Sequence, residues 1–136
     1  YDTLVVDAGL DEGVAMGNTV VYAGAGAIGE VVEVSAASSK VKLYSSPGEE
    51  HFVLVGTHYI PVTAFGRGMG NFEAKVSQDS VVAIGDNIVS AKGDFILGTI
   101  SLVEEVPAEP IKRIFFRTPF NITEIRSVEI IVNKRP

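Results

Sequence analysis

The residue types that could perform catalysis or bind a metal are scarce in this sequence. His51 and His58 are the only histidines, and Glu49 and Glu50 precede the first of them. A serine triad would need a histidine between a carboxylate and a nucleophilic serine, but the sequence has no Gly-x-Ser-x-Gly elbow. Two histidines near acidic residues could share a metal ion, although such groups are more often solvated surface. We therefore predict no catalytic residue and no metal site, and we expect a protein that is not an enzyme.

One glycine pattern matches a cofactor motif in spacing alone. Gly24, Gly26 and Gly29 have the Gly-x-Gly-x-x-Gly spacing of dinucleotide-binding loops. Such a loop needs a following helix whose N-terminus holds the phosphates, whereas residues 28–34 are rich in β-branched side chains. The chain also lacks cysteine, which excludes a thiol nucleophile, a disulfide and a cysteine-ligated metal. We predict no cofactor.

Composition limits the class of protein further. The chain has 136 residues, 46% of them hydrophobic, which suits one compact domain or two very small barrels that share an interface. It carries 11 basic and 17 acidic side chains, and no basic cluster could replace the counterions of a nucleic acid, so nucleic acid is not an expected partner. No apolar run reaches the roughly 18 residues that span a bilayer. Because the chain begins at Tyr1 without a leader, we expect a piece of a longer protein.

A short pattern occurs twice. Residues 14–21 (VAMGNTVV) return as residues 82–89 (VAIGDNIV), and a β-rich stretch follows each copy. Gly17 and Gly85 lie 68 residues apart, half the length of the chain. That offset is too long for solenoid repeats and predicts two similar subdomains. We expect both glycines to occupy equivalent turns with φ above zero.

Short strands between glycine and proline turns account for most of the chain. Residues 38–44 (SSKVKLY) alternate, which predicts a strand with Val41 and Leu43 on one face and Lys40 and Lys42 on the other. Ten or eleven strands of this kind, with almost no helix, indicate an all-β barrel or sandwich.

Three local signals refine this assignment. Pro61 lacks an amide donor, which predicts a sheet edge or a bulge at that position. Residues 66–70 (GRGMG) are interpreted as a turn. Asn121, with Glu124 three residues on, has the spacing of a capping box, so we predict the only short helix of the chain at 121–126.

An aromatic segment near the C-terminus offers the best candidate binding residues. Phe115 and Phe116 are adjacent, and adjacent side chains of a strand point to opposite faces, so both cannot enter one core. One of them faces either the other subdomain, at a seam between barrels, or an exposed surface for a partner. Together with Phe120, they are the residues that we predict to bind a partner.

Several blocks of sequence occur in a fixed order along the whole chain. They are residues 5–20 (VVDAGLDEGVAMGNTV), 27–34 (AIGEVVEV), 38–43 (SSKVKL), 66–70 (GRGMG) and 84–90 (IGDNIVS). In this order they resemble the extracytoplasmic β domain of the MreC family of rod shape-determining proteins. One departure lies at residues 90–98 (SAKGDFILG), where the family usually has Thr-Ser-Gly and a longer Pro-Gly loop. Any contact that this loop makes in relatives is therefore in doubt here.

The resemblance implies a fold and a location. The implied fold is all-β, with two small β barrels that are distantly trypsin-like in architecture but without catalysis, which agrees with the internal repeat. We expect a first barrel from residues 1–45 completed by 107–136 and a second from 46–106. Pairing of residues 128–132 with the first 45 residues would support this division, and pairing with 71–103 would indicate contiguous halves. The resemblance also implies a membrane anchor and a coiled coil upstream, with this domain in the periplasm or otherwise outside the cytoplasmic membrane.

The function implied by the resemblance is a non-enzymatic scaffold of bacterial cell shape and lateral wall elongation. Its expected partners are penicillin-binding proteins and other membrane proteins of the elongation complex, together with the cytoskeletal shape machinery. The resemblance further implies self-association into dimers and possibly filaments. A degenerate trypsin-like hydrolase or a barrel that binds wall glycan is the alternative, and an assay of peptide and ester hydrolysis discriminates between the two.

Overall fold

The computed structural model describes residues 3–22, 26–91, 95–118 and 125–131, and it is almost entirely β-sheet. This confirms the all-β prediction. The strands are β1 (Thr3–Val6), β2 (Thr19–Tyr22), β3 (Gly26–Val34), β4 (Ser39–Leu43), β5 (Glu50–Val55), β6 (Ile60–Gly68), β7 (Asn71–Ser77), β8 (Asn87–Ser90), β9 (Ile96–Glu105), β10 (Ile111–Arg117) and β11 (Glu129–Ile131). A 3₁₀ turn covers Leu10–Glu12. Within the described ranges, no helix has the length and apolarity that a bilayer crossing requires.

Six strands close into a barrel, which we call the second barrel. Its order is β5, β6, β7, β10, β9 and β8, and β8 returns to pair with β5, so the ring has no free edge. All six pairings are antiparallel. Closure makes alternate residues of every strand face inward. The inward side chains form one core, in which Phe72 and Phe116 stack with ring centroids 4.8 Å apart.

Five further strands follow the order β11, β2, β3, β4 and β1, and they do not close into a ring among the described residues. We call this group the first barrel, after the prediction of two barrels. Its core is a separate cluster built on Val20, Val31 and Val41. The predicted alternation in β4 is confirmed, because Val41 and Leu43 are buried while Lys40 is exposed and Lys42 half-exposed. The described residues therefore form two cores, which is consistent with the two predicted subdomains.

The barrels meet along a seam. The long strand β3 touches β9 through one parallel pairing of Gly26 with Ile96. Val21 and Ala27 of the first barrel are part of the core of the second, and Tyr44 packs against that core. Apolar side chains of the first barrel thus pack in the core of the second. This shared packing fixes the position of one barrel relative to the other.

The turns that hold Gly17 and Gly85 make the same hydrogen bonds. Gly17 N donates to Val31 O at 2.8 Å, and Gly85 N donates to Ile100 O at 2.9 Å. Their φ angles are 89° and 96°, which confirms the prediction of equivalent turns with positive φ.

The strands after these turns also correspond. Val20 of β2 opposes Gly29, and Ile88 of β8 opposes Gly98, with a register shift directly after each pair. A side chain at Gly29 would collide with the Lys42 carbonyl of β4, and one at Gly98 with the Arg117 carbonyl of β10. These equivalences are consistent with an internal repeat in which β2, β3 and β4 correspond to β8, β9 and β10.

Some local expectations need correction. Residues 66–70 are not all turn, because β6 continues to Gly68 and stays paired with β7 as far as Asn71. At Pro61, β6 pairs only with β5 among the described residues, which fits a residue without an amide donor. The predicted helix at 121–126 lies largely outside the described residues, and its last two positions, 125 and 126, are not helical.

The pairing of the C-terminal strands bears on the division into barrels. β11 pairs with β2, within the first 45 residues, whereas β10 pairs with β7 and β9 of the second barrel. Only residues 106–110 join β9 to β10, and a connection that short favours a hairpin. The division into 1–45 plus 107–136 and 46–106 stays a prediction about domain boundaries, while β10 is a strand of the closed ring.

The two equivalent turns give a test of backbone strain. Nothing lies within 4 Å of a side chain built at Gly17 or Gly85, so replacement costs conformational strain rather than a clash. We expect Gly17→Val and Gly85→Val each to lower the free energy of unfolding by about 1–3 kcal/mol. Asn tolerates positive φ better than Val does, so Gly17→Asn and Gly85→Asn should lower the free energy of unfolding clearly less than the Val variants. Urea unfolding of the four variants measures this, and equal losses for Val and Asn would show that strain is not the cause.

Candidate interaction surface

The structure separates the three phenylalanines that the sequence singled out. Phe116 points into the second barrel and is 1% exposed, so it is a core residue and cannot contact a partner in the folded protein. Phe115 is half-buried and lies on the outer face of the same strand, as the opposite directions of adjacent residues require. Phe120 lies outside the described residues. Of the predicted binding residues, only Phe115 is placed on a surface by the structure.

Phe115 is one member of a line of side chains that crosses four strands. The register places Phe65 of β6 opposite Glu73 of β7, Glu73 opposite Phe115 of β10, and Phe115 opposite Leu102 of β9. Directly opposed side chains on one face lie about 5 Å apart at Cβ. We call Phe65, Glu73, Phe115 and Leu102 the aromatic row.

The aromatic row presents apolar area to solvent. Phe65 is 39% exposed and Leu102 is 49% exposed, although both are large hydrophobic residues. Glu73 separates the two rings and is held by Arg67, with 3.7 Å between the guanidinium and the carboxylate. Phe115 and Leu102 are directly opposed apolar neighbours, and apolar area gathered on the outside of a folded protein is a feature of binding sites. The row is therefore the candidate interaction surface.

Basic side chains flank the aromatic row on both sides. Arg67 and Arg117 lie along one side, and Lys75 and Arg113 lie along the other. Arg113 also contacts Glu104 at 3.8 Å. Lys75 and Arg117 form no ion pair with the described residues, whereas Glu50 of β5 is exposed and opposes Phe65 at one end of the row. Unpaired basic groups therefore lie on the two long sides of the row, and an acidic group lies at the Phe65 end. An apolar strip with basic flanks fits a partner with an apolar groove and acidic rims.

The sequence left open that Phe115 lies at a seam between the barrels. The residues around Phe115 do not support that position. Both register partners of Phe115, Glu73 and Leu102, belong to the second barrel. The side chains that the first barrel contributes to the seam are others, Val21, Ala27 and Tyr44 among them. Phe115 therefore faces outward rather than toward the first barrel.

The seam itself contains a cleft of about 640 Å³. Tyr44, His51, Phe52 and Ser90 are among its lining residues. His51 Nε2 lies 2.9 Å from the Tyr44 carbonyl oxygen and must donate there, because a carbonyl can only accept. While this hydrogen bond is kept, Nε2 cannot accept a proton from a serine.

His51 and His58 do not form a metal site. His51 precedes residues 52–55 of β5, and His58 follows them. Four extended residues span roughly 13 Å, which is too long for both rings to bind one metal ion. Among the described residues, no group of three histidine, cysteine, aspartate or glutamate side chains could hold a metal.

Sequence reasoning identified Phe115 but missed Phe65 and Leu102. Each of these residues is an ordinary hydrophobic residue of a strand, and nothing in its neighbours marks it as exposed. Only the register of β6, β7, β10 and β9 aligns them. A prediction of which strands pair could have found the row, because alternation then assigns each residue to a face.

A family profile described as rod shape-determining protein MreC, barrel core, matches residues 1–132. The chain belongs to the MreC family. This confirms the resemblance seen in the sequence blocks, and it assigns to the chain a role in the determination of rod shape. No match was found among curated protein sequences.

Solved MreC structures share this fold. The crystal structure of MreC from Pseudomonas aeruginosa aligns over 96% of this chain and 88% of its own, with a TM-score of 0.85 and 22% identity. A second MreC structure aligns over 96% of this chain and 78% of its own, also with a TM-score of 0.85 and 22% identity. The major periplasmic domain of the cell shape-determining filament MreC aligns over 87% of this chain and 78% of its own, with a TM-score of 0.60 and 16% identity. The MreC fold is thus present in nearly the whole chain.

The seam provides a test of stability against pH. Burial raises the pKa of Tyr44 above 10.0, and the negative charge of Glu30 raises it further, while a hydrogen bond with Thr19 acts in the opposite direction. Above pH 10.0 the unfolded chain releases this proton first, so the folded state loses stability as pH rises. Phe has no titrating hydroxyl, so the free energy of unfolding of Tyr44→Phe should fall less than that of the wild type between about pH 9 and pH 11. Urea unfolding across this range measures the difference, and parallel losses would contradict the assignment.

Proposed function

We propose that this domain is a non-enzymatic scaffold for bacterial cell shape and lateral wall elongation. In this role it organises peptidoglycan synthases outside the cytoplasmic membrane and links them to the cytoskeletal shape machinery. Membership in the MreC family supports the proposal, and the exposed aromatic row is the observation that carries it. A scaffold needs a persistent surface for a partner, and a row fixed by four paired strands supplies one.

The proposed partners are penicillin-binding proteins and other membrane proteins of the elongation complex. The row supplies apolar area through Phe65, Phe115 and Leu102, and its basic flanks favour a partner with acidic rims. The central hydrophobic residues would carry most of the binding energy, while the flanking charges would set orientation and association rate. Binding should therefore weaken moderately with added salt.

The proposed location is the periplasm, or the outer side of the cytoplasmic membrane, with an anchor upstream of this domain. One structural relative is itself described as a major periplasmic domain, which supports this location. Wall synthases work on that side of the membrane, so the aromatic row would face its proposed partners there.

Serine substitutions in the row test the proposal. We expect Phe115→Ser and Leu102→Ser each to weaken binding to the elongation-specific penicillin-binding protein by at least about tenfold, because each removes apolar area from the proposed contact. Leu10→Ser is the matched control, since Leu10 is an equally ordinary exposed leucine, 63% exposed, in the first barrel. Surface plasmon resonance at two salt concentrations measures the affinities, and circular dichroism checks that each variant is folded.

Two results would oppose the proposal. Equal binding by the wild type, Phe115→Ser and Leu102→Ser would exclude the row as the synthase surface. Loss of affinity for soluble wall glycan in the same variants, with synthase binding intact, would favour the alternative of a glycan-binding barrel.

Self-association is a second part of the proposal. The two equivalent turns each expose a hydrophobic residue, Met16 at 70% and Ile84 at 67%, and Val81 nearby is 70% exposed. Such side chains can form a weak contact between copies. The expected coiled coil upstream would hold two domains together and raise their local concentration, which converts a weak contact into a usable one.

Sedimentation equilibrium tests this part. We expect the 136-residue chain to be largely monomeric at micromolar concentration and to form dimers toward millimolar. A version extended by the upstream helix should dimerise at micromolar concentration. Met16→Ser with Ile84→Ser should weaken the dimer of the short chain. An extended version that stays monomeric would leave a one-to-one adaptor as the better description.

A further inference from the structure

The last residues of β9 have a partner strand on one side only. β8 pairs with β9 as far as Thr99, and the turn before β8 bonds to Ile100 through Gly85 N and Asp86 O, both at 2.9 Å. After Ile100, β9 pairs only with β10 among the described residues. Within the described ranges, no backbone hydrogen bond reaches residues 102–105 from the side away from β10. We call residues 102–105, on that side, the β9 edge.

Two residues of the β9 edge direct their backbone groups away from β10. In a strand, residues that share a face also bond toward the same neighbour. Ile100 faces the core, and its amide and carbonyl both bond to the turn before β8. Val103 packs on the same core, with the extra residue of the bulge, Ser101, between them. Glu105 opposes the inward-facing Lys112, so the amides and carbonyls of Val103 and Glu105 all point to the β9 edge.

The internal repeat identifies the counterpart of this place in the first barrel. Val31 of β3 accepts from the amide of its glycine turn as Ile100 of β9 does, and each precedes the register shift of its strand. Residues 35–36 are therefore the counterparts of residues 104–105.

The first barrel covers residues 35–36 with backbone donors. Leu10 N donates to Ser35 O at 2.9 Å, and the next amide donates to the next carbonyl at 3.0 Å. The counterpart of Leu10, at the 68-residue offset of the two turns, is Gln78, whose amide donates to Pro110 O instead. In the described part of the chain, the repeat thus covers this place in one copy and not in the other.

The gaps in the described ranges do not adjoin the β9 edge. Two gaps lie beside strands of the second barrel, at residues 92–94 and 119–124, and both open at the end where β9 begins and β10 ends. Phe95 precedes Val103 by eight residues, which is roughly 25 Å along an extended strand. The other gaps adjoin strands of the first barrel.

The side chains of the β9 edge change from apolar to acidic along the strand. Leu102 is 49% exposed at the apolar end, and Glu104 and Glu105 are exposed at the other. Arg113 lies 3.8 Å from Glu104, whereas Lys112, which opposes Glu105, forms no ion pair with the described residues. An unpaired edge is a template for strand addition, and its side chains decide which strand fits.

We propose that the β9 edge binds an extended, basic segment of a partner protein, which adds to the second barrel as a strand antiparallel to β9. The backbone groups of Val103 and Glu105 bond to the backbone of the segment. Two adjacent basic residues oppose Glu105 and Glu104, and two apolar residues follow them, opposite Val103 and Leu102. From its N-terminus, the segment therefore carries two basic residues and then two apolar ones.

A second copy of this chain is a poor occupant of the edge. In an antiparallel pair of β9 edges, all four backbone groups of each copy bond only when Val103 opposes Glu105. That register places Glu104 of one copy directly against Glu104 of the other. Like charges in directly opposed positions are destabilising, so the edge favours a basic segment over its own copy.

Hydrogen exchange of the backbone amides, measured by NMR, shows whether the edge is free. In the 136-residue chain alone, we expect the amides of Val103 and Glu105 to exchange at least about tenfold faster than the amide of Glu104, which faces β10. Equal protection of the three amides at low protein concentration would mean that the chain itself covers the edge, and the proposal would be wrong.

Synthetic peptides are the probes for the partner segment. Capped Thr-Lys-Arg-Val-Val-Thr carries the proposed order, and capped Thr-Glu-Glu-Val-Val-Thr is its acidic counterpart. At millimolar concentration, the basic peptide should slow exchange of Val103 and Glu105 at least about fivefold, and the acidic peptide should not. Methylation of the peptide nitrogens that face β9 should abolish this protection, whereas methylation of the others should preserve most of it.

Glutamine variants test the role of the two acids. Glu104→Gln with Glu105→Gln should weaken binding of the basic peptide about fivefold at low salt, because two cross-strand charge pairs are lost. Glu109→Gln is the matched control, since Glu109 is an exposed glutamate in the turn after β9 and not in the edge. NMR titration measures the affinities, and circular dichroism checks the fold. No synthase takes part, so these results do not depend on the function proposed above.

Four further results would overturn the proposal. Protection of the edge that rises with protein concentration, without peptide, would make it a contact between copies. No protection at millimolar basic peptide, or equal effects of the two methylated forms, would exclude strand addition. Equal binding of the basic and acidic peptides would exclude recognition of charge.

Discussion

Four residues hold the second barrel closed, because Asn87–Ser90 pairs with β5 on one edge and with β9 on the other. Without β8 the other five strands would be an open sheet with two free edges and no enclosed core. With β8 in place, each strand has one face toward the core and one face toward solvent. A register shift of one residue would turn every side chain of that strand to the opposite face, so these faces are fixed. The stacked pair of Phe72 and Phe116 on the inside and the aromatic row on the outside both follow from this closure.

The turn at Gly85 places β8 for this task, and the same turn at Gly17 places β2 in the first barrel. In each copy a side-chain oxygen closes the turn, as Asn18 Oδ1 accepts from Ala15 N at 2.8 Å and Asp86 Oδ2 accepts from Ala83 N at 2.9 Å. Among the described residues, the first barrel has five strands and the second has six. The same turn design therefore positions one strand in each of them.

Much of this architecture could be predicted from the sequence because it is encoded locally. The strand at 39–43, the faces of Val41 and Leu43, and the positive φ of Gly17 and Gly85 all follow from short patterns. The opposite directions of Phe115 and Phe116 also follow, but not which of them faces outward. That choice depends on the ring, which joins residues as distant in sequence as Phe65 and Leu102. No local pattern contains this register, and the row was therefore missed.

The central claim is that the outer face of the second barrel contacts wall synthases in the cell. Photo-crosslinking in the native bacterium tests it directly, with a photoreactive amino acid at position 115 of the full-length protein. Position 116 serves as the buried control and position 10 as the exposed control on the first barrel. The account predicts crosslinks to a penicillin-binding protein from position 115 and none to it from positions 116 or 10. Crosslinks to that protein from position 10 but not from position 115 would contradict it.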